Sequence, residues 1–223
     1  MPLLPDPFAE DISVVLVGAL NPAIFQPAWL AAQNLISDSE SKSATVNVIS
    51  PQAADITFLD FGLQVLQNRL TLRTIDISKS TKIFDLVVGI LTKLPHTPIT
   101  AAGINQAQHF SVGKEKVWHK IGHVLAPRAP VWENLYQNSG MLTVAIQTLR
   151  HGEHSFSINI TVQPSQVSPH GIFIASNFDF KSTKEVGSAE EVIEFIQRNW
   201  EEGTKEARRV AESIFEKIVW PQP

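Results

Sequence analysis

The sequence predicts an α+β fold, in which a mostly antiparallel, curved sheet carries helices on one face. Two observations predict it. In residues 156–163 apolar and polar side chains alternate strictly, which is typical of a half-buried antiparallel strand. In addition, residues 11–95 and 98–219 share one order of elements, namely strand, helix, three strands and helix. This shared order indicates two structural halves that join in one sheet.

The first half begins with an apolar, β-branched run. Asn21-Pro22 follows it and suits a helix start, because proline is tolerated at the first helical position. Pro27 is expected to kink or restart that helix. The predicted elements are the strand 12–20, the helix 22–36, the strands 44–49, 56–61 and 69–75, and the helix 78–94, which ends before Pro95.

The second half repeats this order. Gly103 within its first strand predicts a bulge or a close approach of another backbone segment. The last helix is expected to begin with a capping box of Ser188 and Glu191 and to bend or split at Gly203. The predicted elements are the strand 99–110, the helix 114–125, the strands 141–149, 156–163 and 171–180, and the helix 188–219, with a turn at residues 151–153 between the second and third strands.

Composition limits the possible functions. The chain has 223 residues, of which 43% are apolar and 18% charged, so we expect one folded domain over residues 1–223. The formal net charge of −4 disfavours a general nucleic-acid binder, which needs a basic surface. The chain has no cysteine, no signal-peptide pattern and no apolar run long enough to span a membrane, so a cytoplasmic location is predicted.

Histidines are the candidate residues for catalysis or metal binding. His119 and His123 are four residues apart on a predicted helix, so both could bind one ion, but no third ligand is specified and surface or capping roles are the favoured explanation. His96 follows a predicted helix, where an imidazole could bind terminal carbonyl groups. The common phosphate-loop, dinucleotide and serine-hydrolase motifs are absent, so no cofactor is predicted.

The polar face of the sheet is the candidate binding surface. Ser157, Asn159, Thr161 and Gln163 line it, and we expect Gln147, Thr143, Thr71 and Arg73 beside them. Simple exposure to solvent explains such a face, since antiparallel sheets often have one wet side. The alternative is a groove for a peptide, a strand or a second copy of the chain. The candidate binding residues are Arg73, His96, Asn105, His109, Gln147, Asn159 and Gln163.

Several segments carry a resemblance to an uncharacterised bacterial protein family of similar length. They are Asn21-Pro22-Ala23-Ile24-Phe25 with Pro27-Ala28-Trp29, His96-Thr97-Pro98-Ile99 with Gly103-Ile104-Asn105, His109-Phe110, and Leu125-Ala126-Pro127. The resemblance spans nearly the whole chain, but the family has no established activity, so it implies no substrate. The order of elements also resembles the saddle architecture of TATA-binding-protein-like folds, and this second resemblance implies no activity either.

Together these features predict a non-enzymatic protein-interaction module. We expect a homo-oligomer or a subunit of a bacterial complex, which uses the polar sheet face or the last helix, where acidic and basic residues alternate. The alternative is a metal-dependent or histidine-based enzyme that uses His96, His109, His119 or His123. A third hypothesis, nucleic-acid recognition by the curved sheet, follows the saddle analogy and is opposed by the negative charge.

Overall fold

The computed structural model describes residues 4–152 and 155–220, and their centre is one open, antiparallel sheet. Its nine strands lie in the order β2-β3-β4-β5-β1-β6-β9-β8-β7. The strands are β1 (Ala9–Gly18), β2 (Thr45–Ile49), β3 (Ala53–Thr57), β4 (Gly62–Leu66), β5 (Arg69–Thr74), β6 (Ile99–Ser111), β7 (Val144–Arg150), β8 (Phe156–Pro164) and β9 (Gly171–Lys181).

Six α-helices accompany the sheet in the described part of the chain. They are α1 (Pro27–Ala32), α2 (Asp38–Ser43), α3 (Ser80–Lys93), α4 (Glu115–Leu125), α5 (Ala189–Gly203) and α6 (Glu206–Ile214). A π-helical turn, Phe215–Val219, continues α6. Across the described residues, no helix combines the length and the apolar composition needed to cross a membrane.

The predicted α+β class with an antiparallel sheet is confirmed, but only the second half keeps the predicted order of strand, helix, three strands and helix. In the first half β1 is followed outward by β5, β4 and β3, and in the second half β6 is followed outward by β9, β8 and β7. An antiparallel pair of β1 and β6 joins the halves. The first half contains one strand more than predicted, because β2, β3, β4 and β5 follow its first helices.

The predicted boundaries of the first half need correction. The helix 22–36 is a 3₁₀ turn at Pro22–Ile24 and a separate helix α1 that restarts at Pro27. Proline has no N–H to donate, so it suits the start of the new helix and not the interior of a longer one. β4 occupies the segment that was expected to be a link after the strand 56–61, and Gly62 is its first residue. The short, exposed helix α2 was not predicted.

The last helix also differs from its prediction. A bend or a split was expected at Gly203, and the helix splits after this residue. A Cβ at Gly203 would lie 3.0 Å from Ile104 Cγ2, so glycine lets the helix approach the sheet at the break. Ser188 caps α5 by accepting from the Glu191 N–H, but the capping box is incomplete. The Ser188 N–H donates to the Ile99 carbonyl, so the Glu191 carboxylate binds elsewhere.

The helices cover one face of the sheet and leave the other open. Alternate residues of the central strands are buried under α3, α5 and α6, for example Val14, Ile104 and Phe178. The residues between them, such as Asn105 and Asn177, face away from the helices and are partly exposed. This alternation places the polar side chains of neighbouring strands side by side on the open face.

Candidate protein-binding surface

A row of residues, all polar except Gly62, crosses the open face from one edge of the sheet to the other. Consecutive residues in this row are directly opposite each other in the strand pairing. The row contains Thr45, Thr57, Gly62, Arg73, Ser13, Asn105, Asn177, Asn159 and Gln147. Four of the predicted binding residues, Arg73, Asn105, Asn159 and Gln147, therefore belong to a single row.

The second half of this row is a continuous chain of amide hydrogen bonds, which we call the amide ladder (Asn105, Asn177, Asn159 and Gln147). Gln147 Nε2 donates to Asn159 Oδ1 at 2.8 Å, and Asn159 Nδ2 donates to Asn177 Oδ1 at 3.0 Å. Asn177 Nδ2 donates to Asn105 Oδ1 at 2.8 Å, and Asn105 Nδ2 donates to the Ser13 carbonyl at 3.3 Å. Each amide donates in the direction of β1. The ladder therefore begins at Gln147 on β7 and ends at Asn105, which donates to the Ser13 carbonyl of β1.

The sequence makes room for the ladder at Gly103. A Cβ at this position would lie 3.0 Å from Asn177 Nδ2 and would press on the ladder. The pairing of β6 runs through Gly103 without a bulge, so the predicted bulge is wrong, and the atoms that approach Gly103 closely belong to side chains and not to the backbone. The irregularity in the β1 and β6 pair lies at Val17 and Gly18. A shallow cavity of about 170 Å³ lies beside Gly103, Asn105 and Asn177 on this face.

Two other predicted residues, His109 and Gln163, lie in a second row. His109 is opposite Phe173, which in turn is opposite Gln163. Thr143 Oγ1 donates to Gln163 Oε1 at 3.0 Å. Four residue steps, about 13 Å, separate this row from the amide ladder along each strand. On the open face of β6, β9, β8 and β7, only residues with short side chains lie between the two rows. They are Ala107, Ala175, Thr161 and Ala145.

His109 is held in a partly apolar setting. Its ring lies 4.8 Å from the Phe173 ring and 5.8 Å from the Phe8 ring, measured between centroids. Its Nδ1 lies 2.9 Å from Ser165 Oγ, and this oxygen accepts from the Val167 N–H. Burial lowers the pKa of His109 below its ordinary range, although the negative charge of Asp11 opposes that shift. A neutral imidazole at pH 7 follows, with Ser165 as its fixed partner.

The two edges of the sheet differ in how they are protected. β2 carries a register irregularity between Val46 and Val48, where Asn47 Nδ2 donates to Asp55 Oδ1 at 2.9 Å. Such an irregularity bends an edge strand and hinders pairing with another chain. β7 pairs with β8 residue by residue over its whole length. It has one charged residue, Arg150, which is paired with Glu202 at 3.1 Å.

β7 is also the most exposed strand of the second half. Ile146 is 58% exposed on the helix side of the strand, and Leu149 is 61% exposed on the open face. The segment that leads into β7 exposes further large apolar side chains, including Trp132 and Leu142. An unprotected edge strand with apolar side chains is a ready template for another strand.

His96 lies away from both rows. It follows α3, in the loop that leads to β6, and lines a cavity of about 380 Å³ with Asn21, Phe25 and Thr97. The structure therefore does not bring His96 to the open face with the other predicted binding residues.

His119 and His123 lie on α4, beside a cavity of about 270 Å³ that Trp118 and Met141 also line. Their ring centroids are 6.3 Å apart, and Glu115 Oε1 is 3.7 Å from His119 Nε2. In residues 4–152 and 155–220 no group of three or more His, Cys, Asp or Glu side chains is placed to hold a metal ion. The two histidines thus lack a third protein ligand within this described part.

The last helix, the other predicted docking surface, packs mostly against its own sheet. Val192, Phe195 and Ile196 of α5 and Ala207 and Ala211 of α6 are buried in the core. Glu191 binds the preceding loop, because its carboxylate accepts from Ser182 Oγ at 2.6 Å and from Thr183 Oγ1 at 2.7 Å. These bonds lower the pKa of Glu191 to about 2.

Sequence reasoning missed two members of the site, Asn177 and the edge position of β7. Asparagine is disfavoured inside strands, so an Asn between Ser176 and Phe178 in a β-rich segment was an available signal for a hydrogen-bonded position. The predicted turn at residues 151–153 includes Glu153, which lies outside the described residues.

Comparison of the sequence with models of known protein families gives no match, and a search of curated proteins gives none either. The resemblance to an uncharacterised bacterial family therefore stays a prediction that depends on the segments quoted above.

Proposed function

We propose that this protein is a non-enzymatic protein-interaction module that accepts an extended strand at the β7 edge. The amide ladder carries the proposal, because it spans the second half of the open face and reaches Gln147 on the unprotected edge. A strand added at an edge gains affinity from main-chain hydrogen bonds, and side-chain contacts on alternate positions give it specificity. Both contributions are available along β7.

The side chains of β7 offer a different contact on each face. Ile146 supplies an apolar contact on the helix side, and Leu149 supplies one on the open face. Gln147 lies between them and is fixed by its bond to Asn159. A side chain that is already held in place loses little conformational entropy when a partner binds, which favours binding. β7 also presents no unpaired charge that a partner would have to desolvate.

Within this proposal the protein acts in the cytoplasm, since a chain without cysteine suits a reducing compartment. Its partner is a protein, either another copy of the chain or a subunit of a larger bacterial complex. The resemblance to a bacterial family supports the bacterial setting.

Site-specific photo-crosslinking in the cells that make the protein tests this function. A photoreactive amino acid at position 146 on β7 is expected to give a defined protein adduct, whereas the same residue at position 48 on β2 gives none. Asn159→Ala, added to the position 146 variant, frees Gln147 and is expected to reduce the adduct. No adduct at position 146, or equal adducts at positions 146 and 48, contradicts the proposal.

The pair of His109 and Ser165 favours the alternative, a histidine-based enzyme. A neutral imidazole within 2.9 Å of a hydroxyl oxygen is the arrangement that activates a serine nucleophile. Here the same Ser165 oxygen accepts the Val167 N–H and fixes the loop between β8 and β9. A fluorophosphonate probe distinguishes the two roles. We expect no labelling, and labelling that disappears in Ser165→Ala would establish the enzyme instead.

A further inference from the structure

We propose that the strand added at β7 is β7 of a second copy, related to the first by a two-fold axis at Gln147. This inference rests on the proposed function and names its partner. The two nine-stranded sheets would join edge to edge into one sheet, with both open faces on the same side. Antiparallel pairing of two identical edges is an isologous contact, which closes with two copies.

The length and register of β7 fit this axis. Gln147 is the central residue of the seven in Val144–Arg150. A two-fold axis there places Gln147 opposite its own counterpart, Ile146 opposite Thr148, Ala145 opposite Leu149, and Val144 opposite Arg150. Every residue of β7 then has a partner, and no residue is left over at either end.

The Gln147 amide is complementary to itself at this position. One of its two N–H groups donates to Asn159 Oδ1, which leaves the second N–H as a donor. Among the described residues, Gln147 Oε1 accepts no hydrogen bond. Two Gln147 side chains that face each other across the axis can each donate to the other's Oε1. The amide ladders of the two copies would then form one polar row.

The remaining side chains of β7 also tolerate a second copy. On the helix side, Ile146 of one copy meets Thr148 of the other, and on the open face Leu149 meets the small Ala145. The only charged residue, Arg150, lies about 20 Å from its counterpart and keeps Glu202 as its partner. Antiparallel self-pairing therefore brings no like charges together and covers two exposed apolar side chains in each copy.

β2 is the alternative edge and fits a second copy less well. Its five residues are interrupted by the irregularity between Val46 and Val48, so a symmetric partner strand would meet a bend at its centre. Pairing of β7 with β2 of another copy would be a head-to-tail contact, which builds rings or open chains rather than a two-fold dimer.

Single cysteines test the axis in a chain that has no natural cysteine. With the proposed register, two copies of Gln147→Cys have Cα atoms about 4.5–5.5 Å apart, within the range of a disulfide. Two copies of Ala145→Cys, or two of Leu149→Cys, are about 14 Å apart and cannot form one. Under mild oxidation we expect a covalent dimer from Gln147→Cys alone, and from an equal mixture of Ala145→Cys and Leu149→Cys.

Light scattering of the natural chain over a concentration series gives a second, cysteine-free measurement. We expect a dimer whose fraction rises with concentration, and a monomer for Ile146→Lys with Thr148→Lys. Val46→Lys with Val48→Lys, the matched change on β2, is expected to remain dimeric.

The outcomes separate this inference from the function on which it rests. A strict monomer at all concentrations, with no disulfide from Gln147→Cys, overturns the second copy as partner. Equal disulfide yields from all three single-cysteine variants overturn the proposed axis. If the photo-crosslinker at position 146 nevertheless captures a different protein, the strand-binding function stands and this inference is wrong. Absence of both disulfide and photo-adduct overturns both proposals.

Discussion

Outward from the central pair of β1 and β6, both halves add antiparallel strands in reverse chain order, yet their open faces are built from different chemistry. In the first half the polar groups bind charged side chains. Arg73 forms an ion pair with Asp11 at 3.0 Å, and the Asp55 carboxylate accepts hydrogen bonds from Asn47 and Gln64. In the second half neutral amides form a single directed chain. Charged pairs on an exposed face satisfy one another locally, whereas an amide chain leaves unused groups at its end. The half whose row consists of neutral amides is thus the half with an open binding end.

The halves also anchor their helices differently. In the first half Lys82 of α3 binds Glu40 and, at 2.9 Å, Asp60. Hydrogen bonds from Lys82 lower the pKa of both carboxyl groups. In the second half Glu191 of α5 binds hydroxyl groups of Ser182 and Thr183 instead. One anchor depends on an ion pair and the other on neutral donors, so salt and pH should act on them differently.

The largest expected effect tests whether the halves are one cooperative unit. Phe178 of the second half and Leu72 of the first are both fully buried. We expect Phe178→Ala to lower the free energy of unfolding by about 3–5 kcal/mol and Leu72→Ala by about 2–5 kcal/mol, through lost burial and cavity formation. Urea denaturation followed by circular dichroism should show one transition for each variant. Two separate transitions would mean that the halves unfold independently.

The next effect compares the amide ladder with the charged face. Asn177→Ala leaves Asn105 Oδ1 and Asn159 Nδ2 without their partner, so we expect it to lower the free energy of unfolding by about 1–2 kcal/mol. Gln64→Ala removes an exposed bond to Asp55 and is expected to cost less than about 0.5 kcal/mol. Equal costs for the two variants would contradict a special role for the ladder.

A smaller effect concerns pH and α5. The pKa of Glu191 is lowered from 4.5 to about 2 in the folded protein, so its contribution is present above pH 4.5 and is lost as pH falls toward 2. Because Glu191 is partly exposed, we expect Glu191→Gln to cost about 1 kcal/mol at pH 7. The free energy of unfolding should also fall less steeply in the variant over that acidic range. Glu190→Gln is the matched control, and an equal loss there would contradict this role.

The smallest effect concerns His109. Its pKa is lower in the folded protein than in the unfolded chain. As pH falls below 6.5, His109 therefore binds a proton more readily in the unfolded chain, which lowers the free energy of unfolding. His109→Gln should therefore remove part of the stability loss between pH 7.5 and 5.5, by less than about 1 kcal/mol. Thermal unfolding at several pH values checks this. The prediction would be contradicted if the wild-type chain became more stable than the variant on acidification.

Much of the fold could be predicted because the relevant signals are local. The alternation of β8 and the helical spacing of α3 each depend on a short stretch of residues. β4 was missed because its first residue is Gly62 and its five residues follow closely on β3. The short helix α2 has no buried residue, so no apolar stripe marked it. Its capping box, Ser37 with Glu40, was the remaining signal.

The candidate surface could be predicted only in part. Asn159 and Gln163 followed from the alternation of one strand, whereas their neighbours depend on the register between strands that are far apart in sequence. Asn177 and Asn105 are 72 residues apart, and no local pattern pairs them. The edge position of β7 follows from the order of nine strands, which is a property of the whole fold. His96 was predicted from its place after a helix, and its position away from the open face likewise depends on the whole fold.

The pairing of β1 with β6 has a consequence for how the chain is made. Ser13 and Asn105, which meet in this pair, are separated by 92 residues. During synthesis β2, β3, β4 and β5 can assemble on one side of β1. The other edge of β1 stays unpaired until β6 has left the ribosome. A nascent chain that stalls in this interval exposes a bare central strand, so slow translation before residue 111 should favour aggregation.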